Sequence, residues 1–269
     1  TIHNKYSRFF RFIFFLRYIF GIFVIATILF LLVPNYFNYE KRSEIFKNHL
    51  IKNYDIKILK YEKIEFNSFP FPHIEFKNAL IKLNTSPAEL NVKKFKIYPK
   101  FSSIYNYQNF QSNKIVFKNT NMILETLDFK FFIKKFINQK NNFYFEDLNI
   151  KINDALKPLV SIEKIKFANY GNKKNIIEGI IFSKKFKTKI NSNLNNINFK
   201  LLKSGINIDI YLDDKSNKNS ISGVFKSQVL NTNLKFNFTY DGRSLNIYNS
   251  FFRSKNLSFK NKSLIKLKP

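Results

Sequence analysis

The chain contains no cysteine, which excludes structural disulfides, thiolate zinc sites and cysteine nucleophiles and leaves the redox compartment unreadable. Glycine is scarce as well: six in 269 residues, too few and too scattered to assemble a phosphate-cradling loop. There are three histidines, His3, His49 and His73. They fall in a basic tail, an amphipathic segment and a proline-flanked turn, and their spacing suggests neither a metal centre nor a catalytic group. Acidic residues number 18 and mostly stand singly. The pair Asp213-Asp214 sits in an expected turn, where aspartate bonds nearby backbone amides, whereas acid–base catalysis needs a converging set of tuned groups. No catalytic, cofactor-binding or metal-ligating residue is expected, and the chain reads as non-enzymatic.

What is abundant is positive charge and apolar surface. The formal net charge is +28, which raises nucleic acid as a partner, because clustered Lys and Arg release counterions from phosphate. The lysines are not clustered, however. They are spread among Asn and Ile along the whole chain, as in Lys57-Ile58-Leu59-Lys60 and Lys164-Ile165-Lys166, so the charge reads as compositional drift and no nucleic-acid partner is expected. With 45% hydrophobic and 18% aromatic residues, 34 of them Phe, the chain is too apolar for a disordered protein.

From Tyr18 to Val33 the sequence reads YIFGIFVIATILFLLV without a charge. Extended back to Phe12, the run is long enough to cross roughly 30 Å of hydrocarbon. Arg17 interrupts it, but one arginine near the end costs roughly 3 kcal/mol, can snorkel, and is outweighed by the Ile, Leu, Phe and Val around it. A cleaved signal peptide is the rival, given the basic Lys5, Arg8 and Arg11. The long apolar run and the absence of a small-residue cleavage site at Leu32-Val33-Pro34-Asn35-Tyr36 favour an uncleaved signal anchor. Basic residues flank both sides, so the positive-inside rule is weak here; long domains translocate largely regardless of charge, which places the short N-terminus in the cytoplasm and the remainder outside.

These signals divide the chain into a cytoplasmic tail (1–11), a transmembrane anchor (12–33), an amphipathic helix (34–54) and a β-rich domain (55–269). Within Asn38 to Asn53, Ile45, Phe46, His49 and Leu50 share a helical face. Beyond it the apolar period becomes two: Ile206, Ile208, Ile210 and Leu212 alternate with polar residues, as do Leu234, Phe236, Phe238 and Tyr240. Similar segments recur every ten to fifteen residues, which predicts antiparallel meanders, with a type I′ turn at Asp241-Gly242 and a longer loop from Asp213 to Asn219. One further helix is expected over Leu127 to Gln139, with Leu127, Phe131, Phe132 and Phe136 as its apolar stripe and Thr126 as N-cap. The expected fold is mainly β: an N-terminal transmembrane helix, a curved, groove-like antiparallel meander, and one or two short helices. The apolar strand faces lack a matching set of core helices. Either a second sheet covers them as a sandwich, or the sheet is curved and its apolar face is a groove for acyl chains. Phe236, Phe238, Ile206, Ile208 and Ile210 are the candidate groove residues.

A family resemblance is carried by the order of segments from the anchor to Glu125. The proline-containing turn Asn67-Ser68-Phe69-Pro70-Phe71-Pro72-His73 leads into the strand Ile74 to Ile81. A third strand, Val92 to Tyr98, passes through Lys100 to Tyr105 into Lys114-Ile115-Val116-Phe117, followed by Met122 to Glu125. This resembles the N-terminal part of AsmA-like proteins, and Leu234 to Tyr240, Asp241-Gly242 and Leu245 to Tyr248 are similar to that family's repeating strand and turn. The chain is shorter than such proteins tend to be, and it is expected to be a diminutive member or a fragment truncated at its C-terminus. The resemblance implies a single-pass anchor in the bacterial inner membrane, a periplasmic β-groove of the bridge-like lipid-transport type, phospholipid as partner, and a role in phospholipid movement or outer-membrane assembly. It carries over no catalytic residues. Two rivals stand beside it: a membrane-anchored scaffold or assembly factor that binds another envelope protein through an exposed strand edge, and a basic nucleic-acid-binding protein at the membrane.

Overall fold

A computed structural model of the chain describes residues 2–83, 88–125, 128, 132, 136, 139–154, 157–191, 195–213, 220–241, 244–255 and 257–266. Helix α1 (Ile2–Leu32) carries the apolar run. It is long and apolar enough to cross a membrane, and its large side chains from Phe12 to Leu29 stand exposed. A helix is the form such a run takes because all of its backbone bonds close internally. Pro34, at the second position of the 3-10 turn Val33–Tyr36, ends it.

Helix α2 (Ser43–Tyr54) starts later than the apolar pattern suggests, because Glu40–Arg42 closes as a separate 3-10 turn. Phe46, Leu50 and Tyr54, four residues apart on one face, are buried. The helix stops at Asp55, whose left-handed backbone (φ 57°) sends the chain back as the first strand, while its amide donates to the Ile51 carbonyl at 3.1 Å.

Fifteen strands follow: β1 (Ile56–Lys60), β2 (Lys63–Asn67), β3 (His73–Leu83), β4 (Glu89–Pro99), β5 (Ser112–Glu125), β6 (Phe143–Asp154), β7 (Lys157–Ala168), β8 (Ile176–Ile181), β9 (Lys184–Ile190), β10 (Asn196–Leu201), β11 (Ile206–Leu212), β12 (Ile221–Val229), β13 (Thr232–Tyr240), β14 (Ser244–Arg253) and β15 (Ser258–Lys266). All belong to one curved, unclosed sheet in chain order, with β1 and β2 sharing one edge of β3. The alternative of two stacked sheets is therefore not what forms. The meander is antiparallel except at β5 and β6, which run parallel. Parallel neighbours need a crossover, and residues 126–142 provide it. Of the helix expected there, Asp128, Phe132 and Phe136 are helical, and both Phe side chains are buried against the sheet; Thr126, Leu127 and Phe131 lie outside the described residues.

Strands β3 to β7 share an irregularity at one level. In β3 the buried positions pass from Ile74 and Phe76 to Ala79, Ile81 and Leu83, from even to odd. The same slip occurs between Val92 and Phe95, Phe117 and Thr120, Phe145 and Leu148, and Ile162 and Ile165. At the slips Asn78, Asn119, Asp147 and Lys164 have positive φ (47°, 52°, 114° and 50°). The slips are neighbours in register: Lys77 faces Lys94, Lys94 faces Lys118, and Phe117 and Thr120 face Phe145 and Leu148. Each slip reverses the alternation within its strand, while the β3–β4, β4–β5 and β5–β6 registers run through it unshifted. Because adjacent strands slip together, the apolar side stays the same side throughout. Polar side chains stabilise the row: the Asn78 amide donates to the Glu62 carboxylate, the Asn149 amide donates to Asn121 Oδ1 at 3.0 Å, and Asn149 Oδ1 accepts the Lys164 amide at 2.9 Å.

Candidate functional site

The pairing registers assign every strand's side chains to one of two faces, since directly opposed residues point the same way. Starting from Phe145 opposite Phe167 and Phe167 opposite Ile177, the apolar face continues through Thr188 to Phe199, Ile208 and Ser227, and then to Leu234, Phe252 and Phe259. A parallel row runs from Ile197 through Ile210, Phe225 and Phe236. The face is continuous from β1 to β15.

Its two halves differ in what covers them. Over β1 to β7 the floor is buried beneath α2, through Phe46 and Leu50, and beneath Phe132 and Phe136; Phe136 lies 4.9 Å, centroid to centroid, from both Phe143 and Phe145. From β10 onward no helix lies over the face among the described residues; its Ile and Phe side chains are half-buried as far as β14, sheltered only by their neighbours, and exposed in β15 at Phe259 and Ile265. Rings pair across strands, Phe186 with Phe199 at 5.6 Å, Phe225 with Phe236 at 4.6 Å and Phe252 with Phe259 at 4.7 Å. Small residues sit among them. A Cβ on Gly179 would lie 2.8 Å from the Phe186 ring, and one on Gly223 would lie 2.2 Å from the Tyr211 carbonyl oxygen.

The five residues singled out from the alternation, Ile206, Ile208, Ile210, Phe236 and Phe238, all stand on this face, half-buried. Reasoning strand by strand omitted Phe199, Phe225, Phe252 and Phe259, although each occupies the apolar phase of its own segment. The signal lay in hairpin pairing, which joins those phases into one surface. Of the turn expected at Asp241-Gly242, Gly242 lies outside the described residues; beside it Tyr240 faces Leu245. Asp241 acts through its side chain, accepting from the Ser244 amide at 2.7 Å and the Ser244 hydroxyl at 2.8 Å. Of the loop expected over Asp213 to Asn219, residues 214–219 are likewise outside the described set.

The opposite face is polar. Its ion pairs include Lys187–Glu178 (2.9 Å), Lys118–Glu146 (3.1 Å) and Lys96–Glu75 (3.3 Å), and the Asn198 amide donates to Asp209 at 2.6 Å.

His49 and His73 occupy separate places. His49 lines a cleft of about 710 Å³ between α2 and residues 107–112. The Asn53 amide nitrogen donates both to the His49 carbonyl (3.0 Å) and to Nδ1 (3.1 Å). That fixes the proton on Nε2, which donates to Ser112 Oγ at 2.9 Å. The imidazole therefore cannot take the Ser112 proton in this arrangement. Burial lowers its pKa, partly opposed by a hydrogen bond to the Phe110 backbone. His73 is buried on the polar face, stacked 5.3 Å from Tyr98, with Nδ1 donating to the Phe71 carbonyl at 2.8 Å and Nε2 3.7 Å from Glu75. Burial is again the largest cause of its lowered pKa. Among the described residues no group of three or more His, Cys, Asp or Glu side chains could hold a metal ion.

The chain thus presents one apolar helix and one long apolar sheet face, half covered, as its distinguishing surfaces. Comparison with protein-family models, curated proteins and solved structures gave no significant match to either.

Proposed function

We propose that the chain is a membrane-anchored, AsmA-like protein of the bacterial envelope whose apolar sheet face shields phospholipid acyl chains from water. In this proposal α1 crosses the inner membrane with its short basic N-terminus in the cytoplasm, and the sheet lies in the periplasm, serving phospholipid movement or outer-membrane assembly. The observation that carries it is the unbroken apolar face, roofed over β1 to β7 and bare from β10 to β15. Half-exposed Phe and Ile side chains in water forgo roughly 25 cal/mol for each Å² left unburied, and an acyl chain laid on them gains about 0.8 kcal/mol per CH₂. Fourteen strands in series, at about 4.8 Å per step, extend the face roughly 60 Å along the sheet. Lysines on the opposite face and at strand ends keep the surroundings wet and would favour anionic head groups.

Native mass spectrometry of the full chain in mild detergent tests this. Co-purifying phospholipid is expected, and it should be lost from a Phe225→Asp/Phe236→Asp variant whose circular dichroism is unchanged. A folded, lipid-free wild-type chain would sink the lipid reading. The second reading would then stand, in which the chain is a scaffold that recruits another envelope protein by strand addition. Its supporting observation is the outer edge of β15, which no described strand covers.

A further inference from the structure

Two loops meet the last turn of α1. Ser68, in the loop between β2 and β3, donates its hydroxyl to the Leu31 carbonyl at 2.5 Å and lies 3.1 Å from Asn35 Oδ1. Tyr105, in the segment after β4, donates to the Phe30 carbonyl at 2.7 Å, and its ring lies 4.9 Å from that of Phe30. The loops are thus fixed at the level of residues 30–35. They also face each other across one small apolar hollow of about 200 Å³, lined by Phe71, Pro72, Phe101 and Ile104 with Lys114 beside it.

Both loops are short, tethered at each end by a strand, and yet turn their largest side chains outward. Phe69 is 87% exposed, Phe71 68% and Phe101 69%, and Tyr36 at the foot of the helix is 89% exposed. Beyond Val33, Phe182 (74%) is the one other described aromatic so exposed. It sits in the β8–β9 turn, at the opposite ends of the strands. A helix rising 1.5 Å per residue needs about 20 residues to cross 30 Å of hydrocarbon. Counted from Phe12, the apolar core then ends near residue 32, the level to which Ser68 and Tyr105 hold the loops. Aromatic side chains at that depth occupy the interfacial zone that favours them.

We infer that the Ser68–Pro72 loop and the Phe101–Tyr105 segment form an aromatic collar that seats in the head-group region of the bilayer that α1 spans, so that the sheet is held at a fixed height and tilt rather than swinging on its anchor. The inference rests on the membrane-anchor reading above, but not on the lipid-groove one. Lys100 and Lys114 stand at the same level, where anionic head groups would meet them.

The absence of native cysteine makes the test direct. Single-cysteine variants of the full chain, Phe69→Cys, Phe101→Cys, Phe182→Cys and Ile22→Cys, are labelled with an environment-sensitive fluorophore and reconstituted into phosphatidylethanolamine/phosphatidylglycerol vesicles carrying spin-labelled lipids at shallow or deep positions. The labels at 69 and 101 are expected to be quenched several-fold more by the shallow spin label than the label at 182, and the label at 22 to be quenched by the deep one. Quenching at 69 and 101 no greater than at 182, with 22 quenched, would overturn the collar and leave the anchor intact. An unquenched label at 22 would overturn the anchor and the collar with it.

Discussion

Phe46 joins three parts of the chain. Its fully buried ring lies 4.9 Å from Phe110, 6.1 Å from Tyr107 and 6.2 Å from Tyr39, so it ties α2 both to the segment that leaves the anchor and to the connection between β4 and β5. Phe46→Ala removes a fully buried aromatic and leaves a cavity among these rings. A loss of about 3–5 kcal/mol is expected, read from chemical denaturation of the full chain in detergent. At Gly223 the sheet backbone leaves no room at all: the Cβ of Gly223→Ala would overlap the Tyr211 carbonyl, and a loss of about 1–3 kcal/mol is expected from the forced backbone shift. His73, buried, and His49, half-buried, add a pH dependence. Both have folded-state pKa values pushed below the ordinary 6.5 by burial, so the unfolded chain binds protons first as pH falls. Their contribution to stability is full above about pH 6.5 and is lost as pH drops through the folded values. Thermal unfolding between pH 8 and pH 5 should show a falling midpoint, and His73→Phe should flatten the fall; an unchanged slope would refute the assignment.

At the scale of elements, the row of slips makes a sharp prediction. Asn119 holds a left-handed backbone, which asparagine and glycine tolerate and a β-branched residue does not. Asn119→Val should cost on the order of 1–2 kcal/mol while Asn119→Gly costs little, although valine is the better strand former elsewhere. Equal stability of the two variants would show that the backbone at this position relaxes freely. This row also marks where the sequence is hard to read. Alternation identifies the strands from β9 to β13, where one face is half-wet and the period never slips. In β3 to β7 the period changes phase in mid-strand, so β5 reads as two separate strands, Lys114 to Phe117 and Met122 to Glu125, when it is one. The asparagines at the slips were visible, but their shared level depends on pairing, which a linear pattern does not contain. The parallel join of β5 and β6 is hidden for the same reason: a short amphipathic helix between strands says nothing about the direction of the next one.

For the whole molecule, alternation tells which side of each strand is apolar but not what covers it, and so the choice between a sandwich and an open groove needed the three-dimensional arrangement. The unequal roofing predicts unequal protection. Amide exchange in the detergent-solubilised chain should be slow in β3 to β6, beneath α2, and faster in β10 to β15, where the ladders are shielded on one side only. If the bare face holds lipid, adding phospholipid should slow exchange selectively in β10 to β15, because a ligand stabilises the elements it touches. Uniform protection in the absence of lipid would contradict the division.

Beyond the crossover at β5 and β6, each strand pairs only with the strand before it and the strand after it. Among the described residues no distant segment closes the array. Such a ladder is modular in the way of repeat proteins, whose stability is a sum over neighbours. Its length is therefore a free variable: a hairpin such as β10–β11 could be duplicated or removed, and provided strands come and go in pairs the flanking polarity is kept. Evolution, or a protein engineer, can adjust the reach of this molecule by about 10 Å at a time without redesigning either end.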